Sequence, residues 1–381
     1  MRVAQTIWCL GCAGSWLVLL AACSPSSKRT QPPPQLSAQQ SNASAPLSAS
    51  SSRAASAIAE VLRSVHEDKL QVVAPGLQTS RLSFGRAGLL QASGSKVILR
   101  ELKQGNSVAE ASLGAVRAVA HGADGALFAL GSSGSVRFGA GKEAPRRFGH
   151  VTFFPSSGLF PDLERPDFLY VYEPAEQLLY RYAFDSDAGA LAPIAAQVRL
   201  EGCTAALSQL RDGAFVCLSK NGIARKAPRG GKSELKLAPN IPEPFRLLPA
   251  PRLDEVFAVS RAGEVVHLRL ERGTPELGRF QLPAPPFAAV ANLEALAFIL
   301  VSPPAPGVSR RWSLLVTDLA GQARFETDLA EKGASASEDW MEIVIEDKNL
   351  AISEASPLVA VGGADRVQVW DYEKGAQVFA R

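Results

Sequence analysis

A short structural unit recurs through most of the chain: an apolar strand, a small or polar turn, and a second strand. The units begin at Leu89, Leu127, Leu169, Phe215, Val256, Leu314 and Leu358. From turn to turn they lie about 40 to 47 residues apart, with one gap near 58 around a proline-rich insertion, and this is the period of four-stranded propeller blades. The sequence therefore predicts an all-β protein in which residues 70–381 form a seven-bladed β-propeller. Six or eight blades stay open, because the insertion near Pro303 blurs one boundary.

Two units carry an Asp-Gly pair upstream, at Asp124-Gly125 and Asp212-Gly213. Asp-Gly supplies the positive backbone dihedrals of a tight turn, so the order strand, turn, strand, turn, strand matches three successive strands of a blade. No long helical period interrupts this region, which argues against alternating strands and helices. Because a propeller normally joins its first and last blades, we expect a strand near Leu70–Val73 to complete the blade that ends near Arg381.

The last unit has the most specific motif. It runs from Val359 to Asp371, ends in the dipeptide Trp370-Asp371, and resembles a WD40-type blade. The other units lack this dipeptide, so the wider resemblance is to WD40-like and quinoprotein-like propellers, over about residues 70–381. That resemblance implies a fold and says almost nothing about activity.

The N-terminal stretch from Ala4 to Ala22 is uncharged, has only Arg2 ahead of it and ends in small residues, which is the pattern of a cleaved export signal. Its ending, Leu20-Ala21-Ala22-Cys23, resembles the lipobox of bacterial lipoproteins. The resemblance implies a signal peptide over residues 1–22, and a Cys23 that becomes the first mature residue and receives lipid, palmitate included. The alternative is an uncleaved anchor helix, but this stretch is barely long enough to span a bilayer.

Residues 23–56 are mostly Ser, Pro, Ala and Gln with few large apolar side chains. Such a segment buries too little surface to become ordered, so we expect a disordered linker with a reach on the order of 30 Å. In lipoproteins of this type an aspartate after the cysteine favours the inner membrane, and Ser24 stands there instead. The resemblance therefore implies an outer-membrane anchor with the folded part facing the periplasm. Signal, linker and propeller together also resemble the propeller lipoprotein of the outer-membrane β-barrel assembly machinery, which is a scaffold without enzymatic activity.

A short helix is predicted over residues 57–69. Ile58, Val61, Leu62 and Val65 recur at helical spacing. Because a helix of about three turns is only marginally stable alone in water, we expect it either to dock on the folded domain or to bind a partner.

Composition and motifs exclude several functions. A net charge of +3 with 20% charged residues gives no field that would favour nucleic acid. The four histidines have no metal-binding spacing; they are His66, His121, His150 and His267. There is no nucleophile elbow, phosphate loop or calcium loop, so we expect no catalytic residue, no metal and no cofactor. A channel site like those of propeller hydrolases, lactonases and dehydrogenases, built from single residues of many blades, stays open.

Cys203 and Cys217 are candidates for a disulfide, which an oxidising envelope permits. If the turn at Arg211–Gly213 is two residues long at its tip, Cys217 lies opposite about Ala206, and Cys203 is roughly one strand step too far away. Direct pairing then requires a bulge or another register. A disulfide and two buried thiols both remain open.

Aromatic residues provide one candidate binding surface. Tyr170 and Tyr172 share one face of a strand by period two, and a turn near Pro174 would bring Tyr180 and Tyr182 opposite them. Four tyrosines on one face either pack against the neighbouring blade or form an exposed recognition patch.

Basic residues provide the other candidate surface. They follow the third strand of two blades and therefore project from the same side of the disc; they are Arg146, Arg147, Arg225, Lys226, Arg229 and Lys232. Such a face would attract an anionic lipid, a polysaccharide or an acidic protein, unless these side chains only solvate their loops.

These features predict a lipid-anchored, non-enzymatic protein of the bacterial envelope whose propeller binds an envelope protein or serves as an assembly scaffold. The alternative is an envelope enzyme or small-ligand sensor that uses the central channel. Three or more polar side chains converging at one channel mouth, with room for a ligand, would favour that alternative.

Overall fold

The structure, a computed structural model, describes residues 81–122, 124–139, 144–149, 158–173, 176–185, 189–200, 203, 205–219, 222–227, 234–236, 244–271, 275–302, 311–329, 349–362 and 366–381. The predicted signal peptide, linker, short helix and N-terminal strand all lie outside these ranges, Cys23 included. No helix capable of crossing a membrane occurs in the described ranges.

The regular elements of the described residues are 28 β-strands. In chain order they are β1 Leu82–Gly85, β2 Gly88–Ser93, β3 Lys96–Arg100, β4 Ser107–Ser112, β5 Val116–His121, β6 Leu127–Gly131, β7 Gly134–Phe138, β8 Arg146–Phe148, β9 Gly158–Pro161, β10 Phe168–Glu173, β11 Leu178–Asp185, β12 Ala190–Arg199, β13 Ala205–Gln209, β14 Phe215–Ser219, β15 Gly222–Lys226, β16 Glu234–Lys236, β17 Pro244–Pro249, β18 Glu255–Ser260, β19 Glu264–Arg269, β20 Glu276–Gln281, β21 Pro286–Ala291, β22 Ala295–Val301, β23 Trp312–Asp318, β24 Ala323–Asp328, β25 Leu350–Ile352, β26 Leu358–Gly362, β27 Val367–Asp371 and β28 Ala376–Ala380.

The strands form seven antiparallel sheets, each made of four consecutive strands. The first strand of every sheet lines one central cavity, so these are the inner strands and the fourth strands are the outer ones. The all-β, seven-bladed propeller is thereby confirmed. Turns from the inner to the second strand all lie at one end of the disc, because every blade alternates strand direction in the same way; this end is called the inner-turn face. Its turns are residues 86–87, 122–126, 162–167, 210–214, 250–254, 292–294 and 353–357.

Alternate residues of each second strand pack on opposite neighbouring blades. In β6, Leu127 and Ala129 belong to a buried cluster with blade one, whereas Phe128 and Leu130 belong to the cluster with blade three. Successive side chains point to opposite faces of a strand, so a blade buried on both faces needs apolar residues at every position. This explains the continuous apolar runs that mark the repeat in the sequence.

The sixth predicted unit is out of phase with the others. Leu314 lies in β23, the third strand of its blade, whereas Leu127 and Leu358 lie in second strands. The second strand of blade six is β22, whose last residue, Val301, pairs with Trp312 across residues 302–311. In the other units the period was measured at the short turn between the second and third strands. In blade six a long connection replaces that turn, so the measured turn was a later one and the gap appeared to be near 58 residues.

The ring closes without an exchanged strand in the described residues. The last blade has four strands of its own, and residues 70–73, which the sequence predicted to complete it, lie outside the described residues. The first and last blades pack face to face, with Leu89 and Val369 in one buried cluster. Arg381 adds polar contacts across this seam, from its Nε to the Gln104 carbonyl at 3.2 Å and from Nη2 to the Asn106 side chain at 3.2 Å.

Candidate functional site

The seven inner strands enclose a cavity of about 250 Å³. Most of its wall is aliphatic, with Leu82, Val119, Leu159, Leu248 and Ile352 on five different blades. The polar lining residues are Ser83, His121, Ser208, Gln209, Arg211, Arg246 and Glu354. An apolar cavity with a few polar groups is the usual composition of a small-ligand pocket, so the channel is the candidate site.

Arg211 and Glu354 form an ion pair at the mouth of the channel on the inner-turn face. The Arg211 Nη1 and Nη2 groups donate to the two carboxylate oxygens of Glu354 at 3.3 and 3.2 Å. Arg211 Nε donates to the carbonyl of Ala250 at 3.1 Å, which fixes the plane of the guanidinium. Arg211 follows β13 in blade four and Glu354 follows β25 in blade seven, so this pair crosses the mouth between blades that are not neighbours.

His121 joins the same cluster from blade two. Its Nδ1 atom lies 3.2 Å from Ser83 Oγ of blade one. The pKa of His121 is lowered because the surrounding walls desolvate it; the Glu354 carboxylate opposes this shift and the Arg211 charge adds to it. His121 is therefore neutral at pH 7, although solvent in the channel reaches it. His121, Arg211 and Glu354 meet the criterion of three polar side chains converging at one mouth.

Arg246 places a second guanidinium in the channel wall, three residues before the mouth end of β17. It is 4% exposed. Burial lowers the pKa of Arg246 to about 10, so it remains protonated at neutral pH. Among the described residues that line the cavity, Arg211 and Arg246 are basic and Glu354 is acidic.

Three inner turns share one device that makes them rigid. An aspartate accepts a backbone N–H from the residue two positions later and also pairs with an arginine of the third strand. The pairs are Asp124–Arg137, Asp162–Arg181 and Asp212–Arg225. Each turn is thereby fixed to its own blade, so the inner-turn face is held by side chains as well as by the sheet.

Two large apolar side chains are exposed on this face. Leu253 is 57% exposed and Leu293 is 46% exposed, in the inner turns of the adjacent blades five and six. The Leu293 turn is closed by Asn292, whose Oδ1 accepts the backbone N–H groups of Glu294 and Ala295 at 2.9 and 2.7 Å. Sequence reasoning missed both leucines, because a single leucine in a loop gives no signal of exposure.

The four tyrosines do not share one face, and that prediction is wrong. Tyr180 pairs with Val171 and Tyr182 pairs with Leu169, because closing the hairpin at Glu173 and Leu178 shifts the register by one residue. Tyr170 and Tyr172 pack toward blade four, where Tyr170 meets Phe215 edge-on at 5.3 Å. Tyr182 packs toward blade two.

Three of the four tyrosines are thus core residues, and Tyr180 is half-buried against the same cluster as Tyr182. Tyr170, Tyr172 and Tyr182 are 2%, 5% and 8% exposed. Burial raises the pKa of Tyr172 to about 12. These three side chains pack against neighbouring blades rather than forming an exposed patch.

The basic candidates have different environments. Arg146 and Arg147 are exposed at the start of the outer strand β8. Arg225 lies within β15, where it pairs with Asp212, and Lys226 ends the same strand half-buried. Arg229 and Lys232 lie outside the described residues.

Cys203 and Cys217 are joined by a disulfide, with their Cα atoms 5.6 Å apart. Leu218 pairs with Ala205, which leaves Ala206 opposite Cys217 as predicted from the sequence, and a bulge interrupts the ladder before Ser208. Ala206, inside this irregular segment, has a φ of 54°. The bulge lets Cys203 reach Cys217 from a position beyond the regular ladder.

Of the remaining histidines, the structure describes His267. His267 lies on β19 with Nε2 at 3.0 Å from the carboxylate of Glu255, while His66 and His150 fall outside the described residues. The described ranges hold no group of three or more His, Cys, Asp or Glu side chains placed to bind a metal ion. The mouth cluster was not predicted, because its three members come from blades two, four and seven and share no motif.

Comparison with known proteins supports the fold. No protein-family profile and no curated protein matches the chain in sequence. Among solved structures, Kluyveromyces lactis Hsv2 is 10% identical with a TM-score of 0.50, and the match covers 78% of this chain and 95% of Hsv2. KlHsv2 with loop 6CD replaced by a Gly-Ser linker matches at 9% identity and a TM-score of 0.50, over 79% of this chain and 95% of that one. Chaetomium thermophilum Raptor matches at 13% identity and a TM-score of 0.51, over 76% of this chain and 27% of Raptor.

These neighbours are β-propellers, and the WD40-like propeller fold is therefore shared. At identities this low the likeness concerns the fold alone, because one propeller scaffold serves many unrelated functions.

Proposed function

We propose that this chain is a lipid-anchored protein of the bacterial cell envelope whose propeller binds a protein partner through the inner-turn face and catalyses no reaction. The lipobox-like run Leu20–Cys23 and the polar linker that follows support the anchor. An outer-membrane location with the propeller in the periplasm follows from Ser24 at the position after the lipidated cysteine.

The exposed pair Leu253 and Leu293 carries the binding proposal. Both leucines stand in short inner turns on one end of the disc, and charged Arg252, Asp254 and Glu294 flank them. Apolar residues surrounded by charges of both signs are the composition of an interface centre and its rim. Turns fixed to a rigid scaffold lose little entropy on binding, which favours recognition at this face.

The outer strands are less suited to a partner. β24 carries exposed Arg324, Glu326 and Asp328, and on β20 the exposed Arg279 and Glu276 form an ion pair with N–O 2.7 Å. Charged side chains along an edge strand discourage another strand from pairing with it. The proposed partner therefore contacts turns and does not extend a sheet.

The test compares leucines of similar exposure in inner turns and on an outer strand. Full-length wild type, Leu253→Glu, Leu293→Glu and the control Leu277→Glu are purified from detergent-solubilised envelopes under identical conditions. Leu277 is 41% exposed on the outer strand β20 of blade five, the blade that also carries Leu253. A photoreactive residue at position 253, 293 or 277 then reports direct contact in intact cells.

We expect one partner to be retained by wild type and by Leu277→Glu, and to be lost from both inner-turn variants. The same partner should cross-link from positions 253 and 293 and not from 277. Retention by all four proteins, or cross-linking from 277 alone, would refute the inner-turn face as the binding surface.

The anchor is tested separately. Cys23→Ala should move the protein from the membrane fraction to the soluble periplasmic fraction, and labelled palmitate should be incorporated by wild type only. Palmitate on the Cys23→Ala variant, or membrane retention that is unaffected by the substitution, would contradict the lipoprotein assignment.

A further inference from the structure

We propose that the channel mouth on the inner-turn face binds a small carboxylic acid, with its carboxylate on Arg211 in place of Glu354 and its apolar part inside the channel. This site is independent of partner binding at Leu253 and Leu293. Four observations support it, concerning the arginine, its present partner, the cavity and the charge of the lining.

Arg211 presents a ready-made carboxylate site. Its Nε is held by the Ala250 carbonyl, and both of its Nη groups already donate to the two oxygens of one carboxylate. Two parallel N–H···O bonds from a planar guanidinium match the two oxygens of a carboxylate. The Glu354 side chain thus shows where the carboxylate of a ligand would lie.

The Glu354 carboxylate is held loosely enough to be replaced. Its bonds to Arg211 measure 3.2 and 3.3 Å, whereas charge-assisted bonds of this type are commonly about 2.8 Å. The two side chains are 20% and 35% exposed, so water competes for both. Partly solvated ion pairs of this kind contribute little, and an incoming carboxylate needs to displace only this one contact.

The cavity below the pair has the size and wall of a pocket for an apolar group. Its volume is about 250 Å³, and an apolar cavity of about 150 Å³ accommodates benzene. Leu82, Leu159 and Ile352 line it on three separate blades. A ring or a short alkyl chain fits this space, and water gains little there because most of the wall offers no hydrogen bond.

The charges that line the channel favour an anion over a cation. Arg246 lies in the wall and Arg211 lies at the mouth, while Glu354 is the single acidic lining residue in the described part of the chain. Once a ligand occupies Arg211, Glu354 is released toward solvent on its flexible turn-borne side chain. His121 lies beside the pair and offers a neutral nitrogen for a further hydrogen bond.

The experiment uses the full-length chain in detergent with 4-fluorobenzoate as the probe, observed by fluorine NMR. Three variants are compared with wild type: Arg211→Gln, Glu354→Gln and the control Arg311→Gln. Arg311 also makes a bidentate pair, with Asp328 at 2.7 Å, but on the far side of the molecule between a third and an outer strand. Circular dichroism melts verify that each variant is folded.

We expect saturable binding to wild type and to Arg311→Gln. Arg211→Gln should weaken it at least tenfold, because the carboxylate loses its partner. Glu354→Gln should strengthen it severalfold, because the competing carboxylate is gone. Equal affinities for all four proteins, or weaker binding to Glu354→Gln, would overturn the proposal.

A second set of measurements keeps the proposal testable if a charge variant fails to fold. Ala291→Met adds volume at the lining without changing charge, so it should abolish binding of 4-fluorobenzoate. Cyclohexylamine and inorganic phosphate should not compete with the acid at tenfold higher concentration. No saturable binding to wild type, unaltered binding to Ala291→Met, or displacement by the amine or by phosphate would each refute the carboxylate site.

Discussion

The buried side-chain amide of Asn292 makes hydrogen bonds within blade six and to blade seven. Its Oδ1 closes the inner turn of blade six, and its Nδ2 donates to the Ser353 carbonyl of blade seven at 2.7 Å. The Asn292 side chain therefore closes a turn and also connects two blades by a hydrogen bond. It is buried, with 4% of the residue exposed to solvent.

We predict that Asn292→Ala lowers the free energy of unfolding by about 2 to 4 kcal/mol, because it leaves two N–H groups and a carbonyl without their partners. Asp318 is the matched control: it closes a turn in the same way, with backbone N–H groups at 2.9 Å, but on the surface between β23 and β24. Asp318→Ala should cost only about 0.5 kcal/mol. Urea denaturation measures both changes in unfolding free energy. Equal losses in the two variants would contradict a stabilising connection between the blades through Asn292.

His121 gives stability a defined pH dependence. Because its pKa is lowered in the folded protein, the unfolded chain takes up the proton first as the pH falls below about 6.5. The free energy of unfolding should therefore decrease as the pH falls from the ordinary histidine pKa to the lower pKa of the folded state. Below that pH this contribution should stay constant. Urea unfolding at pH 7.5 and 5.5 should show a smaller difference for His121→Gln than for wild type.

His267 contributes in the same direction and serves as a comparison. Its pKa is lowered by burial, against the opposing effect of Glu255. His267→Gln should also reduce the difference between the two pH values, and the double variant should reduce it further. A wild type that is more stable at pH 5.5 than at 7.5 would contradict both assignments.

Sequence alone could not identify the residues of the channel mouth. His121 ends an inner strand, and Arg211 and Glu354 follow one, but the described inner strands vary from three to six residues and four of them contain a register shift. Their meeting point depends on the ring geometry, which brings the ends of seven strands together from positions far apart in the chain. The Asp-Gly pairs after His121 and Arg211 marked two of these ends in advance.

At the scale of strands and hairpins, the second strands were the most predictable elements. Their apolar runs follow from burial on both faces, and six of the seven predicted units begin within a second strand. The exception, at Leu314, arose where a long connection replaced the short turn. The prediction for the tyrosine hairpin was wrong for a related reason. A one-residue change in turn length moves every side chain of the next strand to the other face of the sheet.

The disulfide belongs to this scale, since it fastens the irregular start of β13 to β14. We predict that the double variant Cys203→Ala/Cys217→Ala lowers the free energy of unfolding by about 3 kcal/mol, as expected for a closed loop with a sequence separation of 14. A reducing agent should lower wild type to the same value and leave the variant unchanged. Equal stability of oxidised and reduced wild type would show that the bond contributes nothing.

At the scale of the whole molecule, the blade count and the all-β fold followed from the repeat, whereas the way the ring closes did not. Closure depends on how the first and last blades meet. The seam between these two blades is held mainly by packing of their apolar faces. At its edge the ring of Phe379 lies directly against Gly105, where an added Cβ would come within 2.4 Å of a ring carbon. Gly105 also has a φ of +72°, a conformation that favours glycine.

We predict that Phe379→Ala lowers the free energy of unfolding by about 3 to 5 kcal/mol, because it removes a large side chain that is 7% exposed from the seam. Phe325→Ala is the control: this phenylalanine also lies on an outer strand, in blade six, but it is only partly buried. The control should lose clearly less stability. Limited proteolysis should also open the Phe379→Ala protein first near the seam, and cleavage elsewhere in the ring would argue against this.

The seam also determines how the disc would respond to mechanical tension. The described chain enters the propeller at the inner strand of blade one, beside the seam, and ends on the outer strand of blade seven. A pull from the N-terminal side would act on the middle of the disc and would be resisted by the hydrogen bonds of β1 to β2 and by its apolar contact with the last blade. The chain itself runs across the other six junctions, whereas in the described residues the seam is held by side-chain contacts alone. Under force the two apolar surfaces of the seam would therefore separate first, and the other six junctions would stay intact.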